Sequence, residues 1–318
     1  MKSSERLILF LLTLLCSQLL FAESTYCDAT RERPCLVQDT DYSNSTVRDL
    51  RSSLMIADYY SGNKAGLEQF RASASSQPSE PGWLVVADFI YQQTGNGTQK
   101  VTVIDLRQEN HGYLNGNAIT LTDTHDWINA DKSKEMALMY EQEWLNTLAV
   151  ETFISNILNV EQFKMGEYAA GQTLKVQAVN NEKDVVTKLG FNYHRLAVTD
   201  HRSPDRREVD AFIGLVDNLP PDGWLHIHCR GGKGRTTTFM VLYDMLKNAD
   251  KVSLDEILAR QAAIPPHYNL TDINKTDPEL VPYYYDRLLF LEQFYHFAQS
   301  RLEGNHQTWS QWLELRKS

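Results

Sequence analysis

Leu225-His226-Ile227-His228-Cys229-Arg230-Gly231-Gly232-Lys233-Gly234-Arg235-Thr236-Thr237 is the stretch whose reading decides the fold. Leu225 to His228 alternate as a short buried strand does. Three glycines then fall within four positions, and Thr236 to Tyr243 continues as a mostly apolar helix. Strand, glycine-rich turn and helix start place backbone N–H groups and a positive helix end around one point. Cys229 opens the turn and Arg235 closes it six positions later. The pattern predicts a site for an anionic group with a thiol at its floor.

The residue types fit that chemistry. A thiolate is the nucleophilic form of cysteine, and a helix N-terminus with nearby cations lowers a thiol pKa to roughly 3.5–7.5. Cys229 is therefore expected to be ionised at neutral pH. The turn amides can hold phosphoryl oxygens, and Arg235 offers a planar fork for two of them. Gly231, Gly232 and Gly234 let the backbone approach closely. Thr236 is placed to hydrogen-bond the sulfur, and His228 to orient the loop. A nucleotide-binding P-loop needs Gly-Lys followed by Ser or Thr. Here Gly234 follows Lys233, which excludes it. A zinc site built on His226 lacks other ligands at metal spacing, so neither metal nor cofactor is expected.

The string His228-Cys229-x-x-Gly232-x-Gly234-Arg235-Thr236 resembles the signature of the cysteine-dependent protein-tyrosine-phosphatase superfamily. Two further segments, Val198 to Pro204 and Ile104 to Gly112, are similar to segments of bacterial tyrosine-phosphatase-like phytases. The similarity continues through Asp244 to Asn248 and Glu292 to Tyr295, so it covers most of the chain from about Val101 onward. It implies a tyrosine-phosphatase-like α/β core, a mixed central sheet flanked by helices. It also implies a small barrel-like β subdomain within about residues 113–180. The implied activity is removal of phosphates from inositol hexakisphosphate through a phosphocysteine.

A proton donor must come from elsewhere. Asp200 follows a strand and lies 29 residues before Cys229, matching the family's mobile general-acid loop. Asp205 on the same loop is the rival. The resemblance also points to Lys132 and Lys275 as phosphate-contacting lysines, with His201, Arg51 and Asp105 as further candidates. Arg230 and Lys233 add two cations inside the loop, which favours a substrate bearing several phosphates. The segment Glu279 to Tyr283 lacks the lysines that family members often carry there. A phosphotyrosine or phosphoinositide-lipid phosphatase is the alternative enzyme reading, and a non-catalytic inositol-phosphate-binding module the alternative outside enzymes.

Met1 to Arg6 carries a net positive charge, Leu7 to Phe21 is strongly apolar, and Ala22 precedes a polar stretch. This reads as a secretory signal peptide over residues 1–22, with the phosphatase-like domain at 23–318. The apolar run is short for a membrane span, so no stable anchor is expected and the protein would be periplasmic or secreted. Cys16 falls in the leader, which leaves Cys27, Cys35 and Cys229. In an oxidising compartment Cys27 and Cys35 can pair across a short loop, with Cys229 as the odd thiol.

The net charge of −10 argues against nucleic acid as a partner. From His194 to Arg235, however, seven Lys/Arg stand against six Asp/Glu. A basic pocket in an acidic body suits a small polyanion.

Outside the motif, strands are predicted near Ser53–Ile56, Trp83–Val86, Val101–Ile104, Thr173–Val179 and Phe191–Val198. Helices are predicted near 65–72, 126–150, 181–189, 203–219 and 283–302, and another after the Ser253–Glu256 capping box. Ser73 to Gly82, rich in Ser and Pro, reads as a loop. Residues 151–171 resist assignment. Alternating strands and helices predict an α/β sandwich with some parallel pairing.

Overall fold

The computed structural model describes residues 26–43 and 46–316. The proposed leader, with Cys16, lies outside the described residues. Eleven strands are present among those described: β1 (Cys35–Thr40), β2 (Arg51–Ser52), β3 (Ala72–Ser75), β4 (Val101–Arg107), β5 (His111–Leu114), β6 (Asn117–Thr122), β7 (Phe153–Asn159), β8 (Gln172–Lys175), β9 (Val179–Asn180), β10 (Asn192–Val198) and β11 (Trp224–His228). The helices are α1 (Ile56–Tyr59), α2 (Gly82–Thr94), α3 (Lys134–Ala149), α4 (Val160–Met165), α5 (Glu182–Lys188), α6 (Arg206–Asp217), α7 (Gly234–Asn248), α8 (Leu254–Ala263), α9 (Val281–Leu302) and α10 (Trp309–Glu314).

The strands form two sheets. One runs β10-β4-β11-β3-β2, parallel except at β2. The other runs β8-β7-β1-β6-β5-β9 and is mostly antiparallel. It takes strands from 111–180 and adds β1 from upstream. The disulfide Cys27–Cys35 ties the N-terminal segment to the start of β1.

β11 lies between β3 and β4, parallel to both, and all five of its residues are buried. In a parallel sheet, ligands bind in the crevice beyond the carboxyl ends of the strands. The chain leaves β3, β4, β10 and β11 at that edge, which gathers Ser76, Glu109, Asp200 and the 229–233 turn from four segments. Helix α7 follows the turn at once and is buried on almost every side. It packs with α9 and the sheet in a core containing Phe212, Phe239, Leu242, Phe294 and Trp309. Each such side chain contributes about 1.5–3 kcal/mol by leaving water, so α7 and the turn at its start have a rigid backing.

Several elements differ from the predicted ones. Ser73 and Ser75 belong to a buried strand, β3, rather than a loop. Their hydroxyls bond the two ring nitrogens of His226 at 2.9 and 3.1 Å, so the serines are satisfied inside the sheet. Trp83–Val86 is helical. Its buried residues Trp83, Val86 and Ile90 recur at helical spacing, and the β-branched pair Val85-Val86 misleads. Ser53–Ile56 and 65–72 hold short helical turns, and the latter ends in β3. The helix expected over 126–150 starts only at Lys134, capped by Ser133. The capping box of Ser253 and Glu256 is present.

Candidate active site

Cys229 is 3% exposed and is the free cysteine among the described residues. It sits where β11 ends, and the turn folds back so that α7 begins at Gly234. Gly232 has φ +67°, and a Cβ there would meet the Ser76 nitrogen at 2.4 Å. Only glycine fits that approach. The Arg230 carbonyl accepts from Gln77 N at 3.1 Å, which fastens the turn to the end of β3. Thr236 Oγ1 donates to Cys229 Sγ at 3.1 Å.

Arg235 is buried and ringed by acceptors. Its Nη1 and Nη2 donate to Glu109 at 2.6 and 2.9 Å, and Nη1 also reaches the Val198 carbonyl at 3.1 Å. Its Nε lies 3.0 Å from Asp200 Oδ1. Burial alone would raise the Glu109 carboxyl. Arg235 and Arg107 more than offset this and hold it below its ordinary value. Burial likewise acts against the Arg235 charge, but Asp200, Glu109 and Cys229 keep it above its usual range. Glu109 is the residue the sequence reading missed. It was inside the quoted 104–112 segment, yet nothing there marked it as the partner of Arg235.

A cleft of about 320 Å³ opens over the turn, lined by Asp39, Arg48, Asp49, Asp126, Val160, Phe163, Lys164, Asp200, Arg230, Gly231 and Lys233. β1 of the second sheet and the turns that follow β10 and β11 of the first contribute to it. Arg48, Lys164 and Lys233 are exposed there, and none had stood out except Lys233.

Comparison with known proteins gives a consistent result. The family model for PTP-like phytases, described as "Inositol hexakisphosphate", matches residues 104–247. The effector protein hopD2 of Pseudomonas syringae pv. tomato is 35% identical over 219 residues, 68% of this chain and 46% of that protein. The PTP-like myo-inositol phosphatase of Mitsuokella multacida, solved with myo-inositol-(1,3,4,5)-tetrakisphosphate, superposes with TM-score 0.79. It is 31% identical over 89% of this chain and 48% of that one. The chain thus spans about half the length of these two relatives. A PTP-like phytase from Bdellovibrio bacteriovorus superposes with TM-score 0.71 and is 33% identical, over 89% of this chain and 97% of that one. The chain belongs to the PTP-like phytase family.

The remaining candidates fall in different places. Arg230 is not a free cation. Its Nε and Nη1 donate to Asp39 at 2.8 Å and Asp126 at 2.6 Å. Burial opposes its charge, and those two carboxylates raise it above its usual range. Arg230 thus lines the cleft and at the same time joins the turn to the second sheet. Asp105 is fully buried behind the turn, 3.2 Å from both Arg195 Nε and His111 Nε2, with no face toward the cleft. Arg51 is also buried, donating to the Asp49 carbonyl and to Thr237 Oγ1 at 2.9 and 3.1 Å. Burial pushes its guanidinium down to about 10, against the attraction of Asp49 and Cys229. Neither side chain is accessible as a substrate contact.

His228 is buried, with Nε2 2.9 Å from Glu182 Oε1. Burial, helped by His228 and Arg51, holds His226 well below the usual imidazole range, so it is neutral. Among the described residues, Asp105, Glu182 and His228 have donor atoms close enough to hold a metal. All three are buried behind the turn, and each carboxylate already faces a basic side chain. His201 stands beside Asp200, with Nε2 3.4 Å from its Oδ2. Asp205 caps α6, accepting from Arg207 N and Glu208 N at 2.8 and 3.0 Å. Lys132 and Lys275 are exposed and lie outside the cleft lining, though the Lys132 carbonyl accepts from Gln108 Nε2 at 3.0 Å.

Proposed function

We propose that this chain is a cysteine phosphatase that removes phosphates from inositol polyphosphates. The observation that carries the reading is the convergence of Cys229, Arg235 and Asp200 at one mouth, beside three exposed cations, Arg48, Lys164 and Lys233. The bound tetrakisphosphate of the Mitsuokella relative supports the substrate class.

In the first step the Cys229 thiolate attacks phosphorus and a P–S bond forms while the P–O bond to the inositol breaks. Asp200 gives its proton to the leaving oxygen. Arg235 and the turn amides hold the equatorial oxygens, where charge is greatest in the transition state. A phosphoryl oxygen that takes Arg235 Nε frees the Asp200 carboxyl for this transfer. In the second step Asp200 accepts a proton from water, the oxygen attacks phosphorus and the P–S bond breaks. The departing thiolate is received by the Thr236 hydroxyl. Glu109 keeps the guanidinium plane fixed throughout. Residues 1–22, read as a leader from their charge and apolar run, would place this action outside the cytoplasm.

The deciding experiment is phosphate release from inositol hexakisphosphate, a phosphotyrosine peptide and a phosphoinositide, by wild type and Cys229→Ser. The wild type should prefer inositol hexakisphosphate and form an acid-trappable phosphoprotein. Cys229→Ser should bind substrate without turnover. Appreciable release by the variant would refute the covalent route, and preference for the peptide or lipid would refute the substrate class.

A further inference from the structure

The turn that carries Asp200 is held by aromatic residues from two distant parts of the chain. The Arg202 guanidinium carbon lies 4.5 Å from the ring centroid of Trp127 and 4.9 Å from that of Tyr283. Those two rings meet edge to face at 5.3 Å. Trp127 Nε1 donates to the Asp200 carbonyl at 2.9 Å. Next along the turn, His201 Nδ1 shares a hydrogen bond with Tyr284 Oη at 3.3 Å. His201 has φ +63°, a left-handed conformation that a side-chain-bearing residue keeps only when its surroundings impose it.

Arg202 has little else to do. Its Nε is buried without a hydrogen-bond partner, and, after the hydrogen bond from Arg31, its charge helps hold the exposed Asp131 carboxyl down without a salt bridge within 4.0 Å. The ring faces are its main engagement. Trp127, Leu280 and Tyr284 are buried together with Tyr283 packed against them. His125 Nε2 and Asp277 Oδ2, 2.8 Å apart, tie the same two segments once more.

We propose that Trp127, Arg202 and Tyr283 form a latch that sets the position of Asp200 at the mouth, so that Arg202 and Tyr283 are positioning residues for proton transfer. The proposal rests on Asp200 being the acid. An acid must reach the leaving oxygen within hydrogen-bond distance, and misplacement by about 1 Å can cost on the order of 100-fold. The turn's other ties are few: Thr199 Oγ1 to Gln108 at 2.5 Å, Arg202 N to the Thr199 carbonyl at 3.3 Å, and the Asp200–Arg235 pair. Among the described residues the rings are the main side-chain anchors of Asp200 to Arg202 on that side, before the Asp205 cap takes over.

Two aryl monophosphates of similar shape separate this latch from a structural role. 4-Nitrophenyl phosphate expels a leaving group that hardly needs a proton, whereas phenyl phosphate needs one. Arg202→Gln, which keeps the packing stem, and Tyr283→Leu should lower kcat/KM on phenyl phosphate, which reports only the first step and not the hydrolysis both substrates share, by about 5- to 30-fold, the scale of one or two cation–π contacts. Their loss on 4-nitrophenyl phosphate should stay below about 3-fold, which also reports that each variant is folded. Tyr283→Phe keeps the ring and should recover most of the loss. Equal losses on the two substrates would overturn the latch. Asp200→Asn is measured alongside. If it shows the unequal loss while Arg202→Gln and Tyr283→Leu do not, the latch alone fails. If Asp200→Asn itself loses equally on both, the acid assignment fails and the latch with it.

Discussion

Glu109 holds Arg235 at two points, Oε2 to Nη1 at 2.6 Å and Oε1 to Nη2 at 2.9 Å. Both residues are buried, and the pair fixes the guanidinium plane with Nε 3.0 Å from Asp200 Oδ1. Two-point Arg–carboxylate pairing gives geometric precision as well as energy. Removing one partner of a buried pair costs about 3–5 kcal/mol, because the other charge is stranded. Glu109→Gln should therefore lower the urea midpoint and also reduce turnover of every phosphate ester tested. A variant of wild-type stability and turnover would show that Arg235 is positioned by other groups.

Asp200 and Asp205 separate by role. Asp200→Asn should lower turnover of inositol hexakisphosphate by roughly 10²–10⁴-fold, the range for a positioned proton donor, with little effect on stability. Asp205→Ala should do the reverse. It removes the cap of α6, worth about 0.5–2 kcal/mol, and should leave turnover close to wild type. Kinetics and chemical denaturation on both variants check this, and a larger kinetic loss for Asp205→Ala would reverse the assignment.

The cations of the cleft should divide in the same way. Lys233 is exposed at the mouth, and Lys233→Ala should lose about 10- to 150-fold in kcat/KM on inositol hexakisphosphate if one charged hydrogen bond is lost. 4-Nitrophenyl phosphate should change little at fixed ionic strength. Arg230→Ala instead strands the buried Asp39 and Asp126, so both substrates should suffer and stability should fall. Equal behaviour of the two variants would contradict the structural tie of Arg230 to Asp39 and Asp126.

His111 supplies a pH dependence. It lies between Asp105 and Glu141, each 3.2 Å from a ring nitrogen. Burial and Arg107 act to lower its imidazole, but Asp105 and Glu141 prevail and raise it to about 9. The folded value exceeds the unfolded one near 6.5. The resulting stability is fully present below about pH 6.5 and lost as pH rises through about 9, about 3 kcal/mol at most. Urea midpoints across that interval should fall in the wild type and fall less in His111→Gln. Parallel slopes would remove His111 from the network's charge balance.

What could be read from sequence alone is what one continuous segment builds. The strand, the glycine turn with Cys229 and Arg235, the start of α7 and the Thr236 hydroxyl are successive residues. Chain geometry over a dozen positions therefore determines their arrangement, and Asp200 is reached through the strand before it together with the resemblance of its loop to the family's general-acid loop. The Ser253 capping box is local in the same sense. Tertiary structure decided the rest. Glu109 meets Arg235 across 126 positions and Asp39 meets Arg230 across 191, through charges that pair only because separate strands end at one edge. No spacing or period records such a meeting. It also buried Arg51 and Asp105 and tied Arg230 to Asp39 and Asp126, since burial and pairing are properties of what packs around a side chain. For the same reason Ser73 and Ser75 read as loop until His226 lay beneath them. A hydroxyl's partner, like a guanidinium's, is chosen by the fold and not by its neighbours in the chain.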